Sequence, residues 1–404
     1  MDVQLELVDP ATPFDRAVEH GAASTIAEGV VCLRIGIVNV YFIGGHDAGD
    51  RGWVLVDAGL HGSAGRIRRA AEAYFGKHAR PKAILLTHGH FDHVGALRTL
   101  ADEWNAPVFA HPLELPYLTG KSAYPPFDPT VGGGAIARSA MLFPRGPEDV
   151  RDHVTALPLD GSVPGLPDWR WLHTPGHAPG HVSYYRETDG VLVAGDAIVT
   201  TRQESLSAAL AQRIEIHGPP AYGTPDWGAA RSSVEALAAL DVRVLATGHG
   251  RPITGDAVSE GIRLLAADFD VLAVPKHGRY VNEAARFSEN GVESVPPPVR
   301  DDAMREAAAV GLVAVAGVAT WALLRRWNAH RARESERERF DAGAELEVAL
   351  LAGDERYAPV GSAFEGDQHV PRGVHDDHPR SARYGTRFGE RHRIRRPDEE
   401  WSWP

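Results

Sequence analysis

An α/β layered fold is predicted for this 404-residue chain. Three observations predict it. Short apolar runs have the length and branching of buried strands, stretches with helical rhythm lie between them, and histidine or aspartate follows the ends of the strand-like runs. Alternation of strand and helix packs helices against sheets in layers. Composition is that of an ordinary globular protein, with 43% hydrophobic and 24% charged residues. The length exceeds one typical domain.

The elements justify that reading in order. Trp53-Val54-Leu55-Val56 is an apolar run ending at Asp57-Ala58-Gly59. Residues 63–77 follow as a helix, with Ser63 at its N-cap position. Lys82 to Thr87 reads Lys-Ala-Ile-Leu-Leu-Thr, a buried strand. Val94, Leu97, Leu100 and Trp104 then recur at helical spacing, which predicts one helix over 94–104. Further strands are expected at 169–174, 190–195 and 242–247, and helices at 227–240, capped by Asp226, and at 257–273.

Between the strand at 82–87 and its helix lies Thr87-His88-Gly89-His90-Phe91-Asp92-His93. On an extended segment His88 and His90 alternate and can point to one side. Asp92 and His93 fall at the turn and can face a second position, so one loop offers ligand pairs for two neighbouring ions. The other expected strands end in His177, Asp196 and His249, each flanked by glycine, which permits close approach of backbone to an ion. Imidazole with carboxylate is the donor mix of catalytic zinc, iron or manganese. Structural zinc prefers thiolates, and Cys32 is the only cysteine. A helical His-Glu-x-x-His and the deaminase His-x-Glu with Cys-x-x-Cys are both absent.

These residues resemble the metallo-β-lactamase superfamily. Its motif His-x-His-x-Asp-His stands here as His88, His90, Asp92 and His93, followed by Thr174-Pro175-Gly176-His177, Gly195-Asp196 and His249. The resemblance spans about residues 25 to 275. It implies a four-layer αβ/βα sandwich, with a C-terminal helical extension beyond it in this chain. It also implies that His88, His90 and His177 bind one metal, that Asp92, His93 and His249 bind a second, and that Asp196 bridges them. Zinc is the first expectation for both ions, with iron or manganese as alternatives. Asp57 would lie beneath the metals and orient a ligand histidine, and His181 would either line the site or start the next strand. Asp196 stands where some β-lactam-hydrolysing subclasses have cysteine, and His90 where the diiron flavoproteins have glutamate. The glyoxalase II and lactonase-like branch fits better. The sequence departs from lactonases in lacking a tyrosine soon after Asp196, and from glyoxalase II in lacking basic residues to grip glutathione.

The expected reaction is hydrolysis of an ester, thioester or lactone by a hydroxide shared between two ions, with Asp92 and Asp196 as the catalytic carboxylates. No Gly-x-Ser-x-Gly elbow offers a rival nucleophile. The partner is then a small-molecule substrate. Two alternatives are a sulfur dioxygenase-like enzyme with one iron and a metal-dependent phosphodiesterase or nuclease. The net charge of −12 argues against a phosphate-backbone binder, so no nucleic-acid partner is expected.

Residues 116–147 form a Pro- and Gly-rich insertion with Tyr117, Tyr124, Phe127 and Phe143, which either close over a substrate or pack the loop down. Domain boundaries are expected at 1–290 for the catalytic domain, 291–328 for a Pro-rich linker with a hydrophobic helix, and 329–404 for a charged, largely disordered tail. The apolar run 307–324 precedes Arg325-Arg326-Trp327, which predicts a membrane anchor and membrane association through that run. A start without a basic, apolar leader and a single cysteine give a cytoplasmic expectation, anchored by that late helix.

Overall fold

Period-two burial along the strands divides the molecule into layers. In β2 (Val30–Ile35), Val31, Leu33 and Ile35 join one apolar cluster while Val30 and Cys32 join another. In β3 (Val38–Ile43), Val38, Val40 and Phe42 separate in the same way from Tyr41 and Ile43. A strand whose two faces are both apolar must be covered on both sides. The computed structural model describes residues 23–299.

The first sheet has seven strands in sequence order: β1 (Ser24–Ala27), β2, β3, β4 (Val54–Val56), β5 (Ala83–Leu85), β6 (Val108–Ala110) and β7 (Val154–Ala156). Its first four strands pair antiparallel and the rest parallel. The second sheet comprises β8 (Ser162–Val163), β9 (Leu166–His173), β10 (Val182–Arg186), β11 (Val191–Gly195), β12 (Val244–Thr247) and β13 (Ile253–Thr254), in spatial order β13-β12-β11-β10-β9-β8. A hairpin of β14 (Arg286–Ser288) and β15 (Gly291–Ser294) stands apart.

Side chains from both sheets form the central core, among them Tyr41, Val54, Leu85, Val182, Tyr184 and Val193. The outer face of the first sheet is covered by α1 (Ala64–Phe75) and α2 (Leu97–Trp104) through Ile67, Phe75, Leu100 and Trp104. Trp53 stacks on Phe75 at 4.6 Å and meets Trp104 edge-on at 5.7 Å. Such pairs add about 1 kcal/mol each beyond their buried area. The outer face of the second sheet is covered by α3 (Trp227–Ala238) and α4 (Ala257–Ala267) through Val234, Leu237, Ile262 and Leu265. The layers therefore run αβ/βα, the four-layer sandwich that the resemblance implied.

Some local expectations are corrected. The helix expected over 94–104 is two pieces, Phe91–Val94 and Leu97–Trp104. Gly95 presses so closely on the backbone of Leu60 and His61 that any side chain there would collide. The helix expected over 257–273 breaks at Asp268. Asp226 caps α3 by accepting from Ala229 N–H at 2.9 Å. Ser63 occupies the N-cap position of α1, but its hydroxyl donates to Leu60 O at 2.6 Å instead of accepting from the helix.

The expectation of a transmembrane helix and membrane association is also corrected. No helix among the described residues is long and apolar enough to cross a membrane. Even α1 and α3 have only 12 residues each, against the ~20 a span requires. The run 307–324, the rest of the expected linker and the tail at 329–404 lie outside the described residues.

Candidate metal centre

The ligand-type residues arrive from four strand ends on one edge of the sandwich. His88 and His90 follow β5, His177 follows β9, Asp196 follows β11 and His249 follows β12. Asp92 and His93 stand in the short helix Phe91–Val94. All seven are buried.

His88 Nε2 lies 3.0 Å from His90 Nδ1, which lies 2.9 Å from His177 Nε2. Asp92, His93 and His249 form a second group whose ligand atoms lie within 4.8 Å of one another. The two groups meet at Asp196. Its Oδ2 is 3.3 Å from His177 Nε2 and 3.1 Å from His249 Nε2, while Oδ1 is 3.5 Å from His93 Nε2.

Hydrogen bonds at the back of three of the imidazoles fix which nitrogen faces the centre. Asp57 accepts at Oδ2 from His93 Nδ1–H at 2.9 Å and from the Thr87 hydroxyl at 2.8 Å. Thr87 Oγ1 in turn accepts from His88 Nδ1–H at 3.1 Å. His249 donates Nδ1–H to Ile37 O at 2.8 Å. Each of these rings thus turns Nε2 inward. The residues fit divalent cations. Lone pairs of three imidazoles within about 3 Å repel one another unless a positive ion lies among them, and His93 Nε2 and Asp196 Oδ1 are buried without a hydrogen-bond partner.

The sequence model of the Metallo-beta-lactamase superfamily matches residues 33–249, more than half of the chain. The chain belongs to that superfamily. It is 48% identical over 247 residues to probable metallo-hydrolase YflN of Bacillus subtilis (strain 168), covering 61% of this chain and 93% of YflN. Probable metallo-hydrolase YybB of the same organism is 32% identical over 174 residues, 43% of this chain and 67% of YybB. Among solved structures, TTHA1623 in a di-iron-bound form is 27% identical, with 59% of this chain and 96% of that chain covered and a TM-score of 0.37. Membership makes the chain a metal-dependent hydrolase.

Within this family member the charges divide by group. Burial, reinforced by neighbouring imidazoles, holds His88 and His177 well below the usual histidine range. Burial likewise takes His90 down to about 4. These three rings stay neutral and offer lone pairs. Burial alone would raise Asp92, but His93 and His249 outweigh it and bring the carboxyl to about 2. Asp196 is likewise held well below its ordinary value, its own burial being outweighed by His249 and His93.

His181 is not among the converging atoms of either group. Its Nε2 accepts from Asp196 N–H at 2.9 Å, and its Nδ1–H donates to Thr174 Oγ1 at 2.9 Å. It fixes the backbone that carries Asp196. Burial takes it to about 3, so it remains an acceptor.

A cleft of about 190 Å³, open mouth included, abuts His90 and is lined by Pro125, Pro126, Phe127, Tyr222, Pro225 and Tyr280. Of the aromatic residues singled out in the insertion, Phe127 lines this cleft. Tyr117 and Tyr124 are buried and stacked on each other at 4.0 Å, and Phe143 packs on Phe91 and Tyr222. Sequence reasoning missed Tyr222 and Tyr280, which stand in Pro- and Gly-rich loops without periodicity. It also missed Glu114, a buried acid whose apolar neighbours Leu113 and Leu115 were its one signal.

Proposed function

We propose that this chain hydrolyses an ester, thioester or lactone of a small molecule with two divalent ions, zinc first, bound side by side. In this reading His88, His90 and His177 hold one ion, and Asp92, His93 and His249 hold the other. The single observation that carries it is Asp196 Oδ2, within 3.3 Å of one group and 3.1 Å of the other. A carboxylate so placed is shared between two positions.

Two such ions supply hydroxide near neutral pH and a Lewis acid for a carbonyl oxygen. The chain's own residues do the rest. Asp57, Thr87 and Ile37 O keep the imidazoles aimed inward. Asp92, the most exposed of the site carboxylates at 8%, would accept a hydrogen bond from the attacking hydroxide and orient it. The cleft beside His90 takes an apolar portion of the substrate, since proline and aromatic rings form its wall. The glyoxalase II and lactonase-like branch is the family setting that suits such chemistry.

The test is metal analysis of the purified chain together with a screen of aryl esters, thioesters, lactones and phosphodiesters. Two equivalents of zinc with ester, thioester or lactone turnover are expected, and His88→Ala or Asp196→Ala loses both metal and turnover. One iron with oxygen uptake, phosphodiester cleavage alone, or full activity in metal-free protein overturns the proposal.

A further inference from the structure

Glu114 lies outside the ligand set, yet its carboxylate joins both turns that deliver the first histidine group. It ends the 3-10 turn Pro112–Glu114 and is fully buried. Oε2 accepts from Gly89 N–H at 2.8 Å, and Oε1 accepts from Gly180 N–H at 2.8 Å. The Tyr124 hydroxyl donates to Oε2. Gly89 stands between His88 and His90, and Gly180 lies three residues beyond His177. One side chain therefore ties together two segments that are distant in sequence.

The fit depends on both glycines. A Cβ on Gly89 would meet Tyr124 Oη at 2.7 Å, and one on Gly180 would meet Glu114 Cγ at 2.8 Å. The Tyr124 ring also packs on His90 at 4.4 Å, so the hydroxyl that meets the carboxylate belongs to a ring bracing a ligand-type histidine. Burial pushes the Glu114 carboxyl up, and the hydrogen bonds around it all come from neutral donors. A buried carboxylate with hydrogen bonds but no positive partner is costly. Positive charge on the far side of Gly89 would offset that cost.

We propose that Glu114 is a positioning residue for the ion held by His88, His90 and His177, setting its affinity separately from the ion held by Asp92, His93 and His249. This rests on the reading that both groups hold ions. Groups behind metal ligands change affinity by about 10- to 100-fold when removed.

The experiment is cobalt titration of the metal-free full-length chain against a chromophoric chelator, following the visible cobalt bands. His177→Ala and His249→Ala serve as references that each disable one position. Wild type is expected to take two equivalents. Glu114→Gln keeps one acceptor oxygen but presents an amide to the other donor. It should weaken the equivalent lost in His177→Ala by about 10- to 100-fold and leave the other unchanged. Tyr124→Phe removes one hydroxyl with the ring retained, and should weaken the same equivalent to a smaller degree. It reads out the proposal if Glu114→Gln does not fold. Two equivalents with unchanged affinities in a folded variant overturn the role of Glu114 and leave the paired-ion reading standing. Equal weakening of both ions, in step with a lower melting temperature, also overturns it, because general packing then suffices. Fewer than two equivalents in wild type overturns the paired-ion reading and this proposal with it.

Discussion

His93 gives its Nδ1–H to Asp57 at 2.9 Å, and through Thr87 the same carboxylate steadies His88 in the other ligand group. Asp57 also accepts Thr87 N–H at Oδ1 at 2.8 Å. Three donors converge on one buried group. Its backbone adopts a left-handed conformation with φ 60°, which costs an aspartate ~1 kcal/mol or more and which the three bonds offset.

Asp57→Asn replaces one acceptor oxygen with a donor, which opposes at least one of those donors. Metal affinity is expected to fall by about 10- to 100-fold. Stability should fall by about 1–3 kcal/mol through a buried unsatisfied donor. Chelator competition and denaturant melts measure the two effects. Unchanged affinity would show that the imidazoles hold their direction without the carboxylate.

Gly248 supplies a steric test that alters no ligand. A Cβ there would collide with Asp196 Oδ1 and lie 2.7 Å from His93 Cε1. Gly248→Ala should therefore displace the carboxylate shared by the two groups. Metal content should drop below half of wild type while far-UV circular dichroism stays native. Full metal content with full turnover would mean that Asp196 has room to move without losing function.

A pH effect is expected away from the metal centre. His111 stacks on His173 at 4.2 Å, and burial, with His173 as a lesser contributor, takes it down to about 4. The unfolded chain returns it to about 6.5. Below 6.5 the unfolded state then binds the extra proton, so stability falls as pH drops from about 6.5 toward 4. His111→Asn keeps an acceptor for Leu113 N–H, which His111 Nδ1 meets at 3.2 Å. The variant should flatten that part of the stability profile in urea melts at pH 5 and pH 7. An unchanged slope would remove His111 as a source.

What was legible in the sequence follows from how local each signal is. His88 to His93 fall in one short stretch, expected as a loop though Asp92 and His93 stand in a helical turn. His177, Asp196 and His249 each follow an apolar strand, so chain position together with the family resemblance singled them out as candidates. The α/β layering followed from apolar strand-like runs alternating with helical stretches, whereas the αβ/βα order was what the family resemblance implied. Short strands such as β8 and β13 have two residues each and exist only through their neighbours, which no local pattern reveals. The break after Val94 comes where Gly95 gives its N–H to Gly59 O at 2.7 Å and lies against the backbone of Leu60 and His61, far from the helical rhythm that concealed it. Glu114 was hidden because its partners lie 10, 25 and 66 positions away, at no helical or strand spacing.

The wall of the cleft is assembled from equally distant pieces. The Tyr280 hydroxyl donates to Pro126 O at 2.6 Å, and Asp128 accepts from Arg279 N–H at 2.5 Å, so the 279–280 segment holds the 125–128 segment in place. Neither contact touches a ligand-type residue. Tyr280→Phe removes one hydrogen bond, worth about 1 kcal/mol, and keeps the ring that lines the cleft. If the cleft receives the substrate's apolar portion, loosening its wall weakens binding before chemistry. For an aryl ester with an apolar acyl chain, KM should rise severalfold, with kcat and metal content close to wild type. The corresponding acetate, which has no apolar acyl chain to place against Pro126 and Phe127, should be nearly indifferent. A fall in kcat with KM unchanged, equal for both esters, would separate this cleft from substrate recognition and return the wall to a purely structural role.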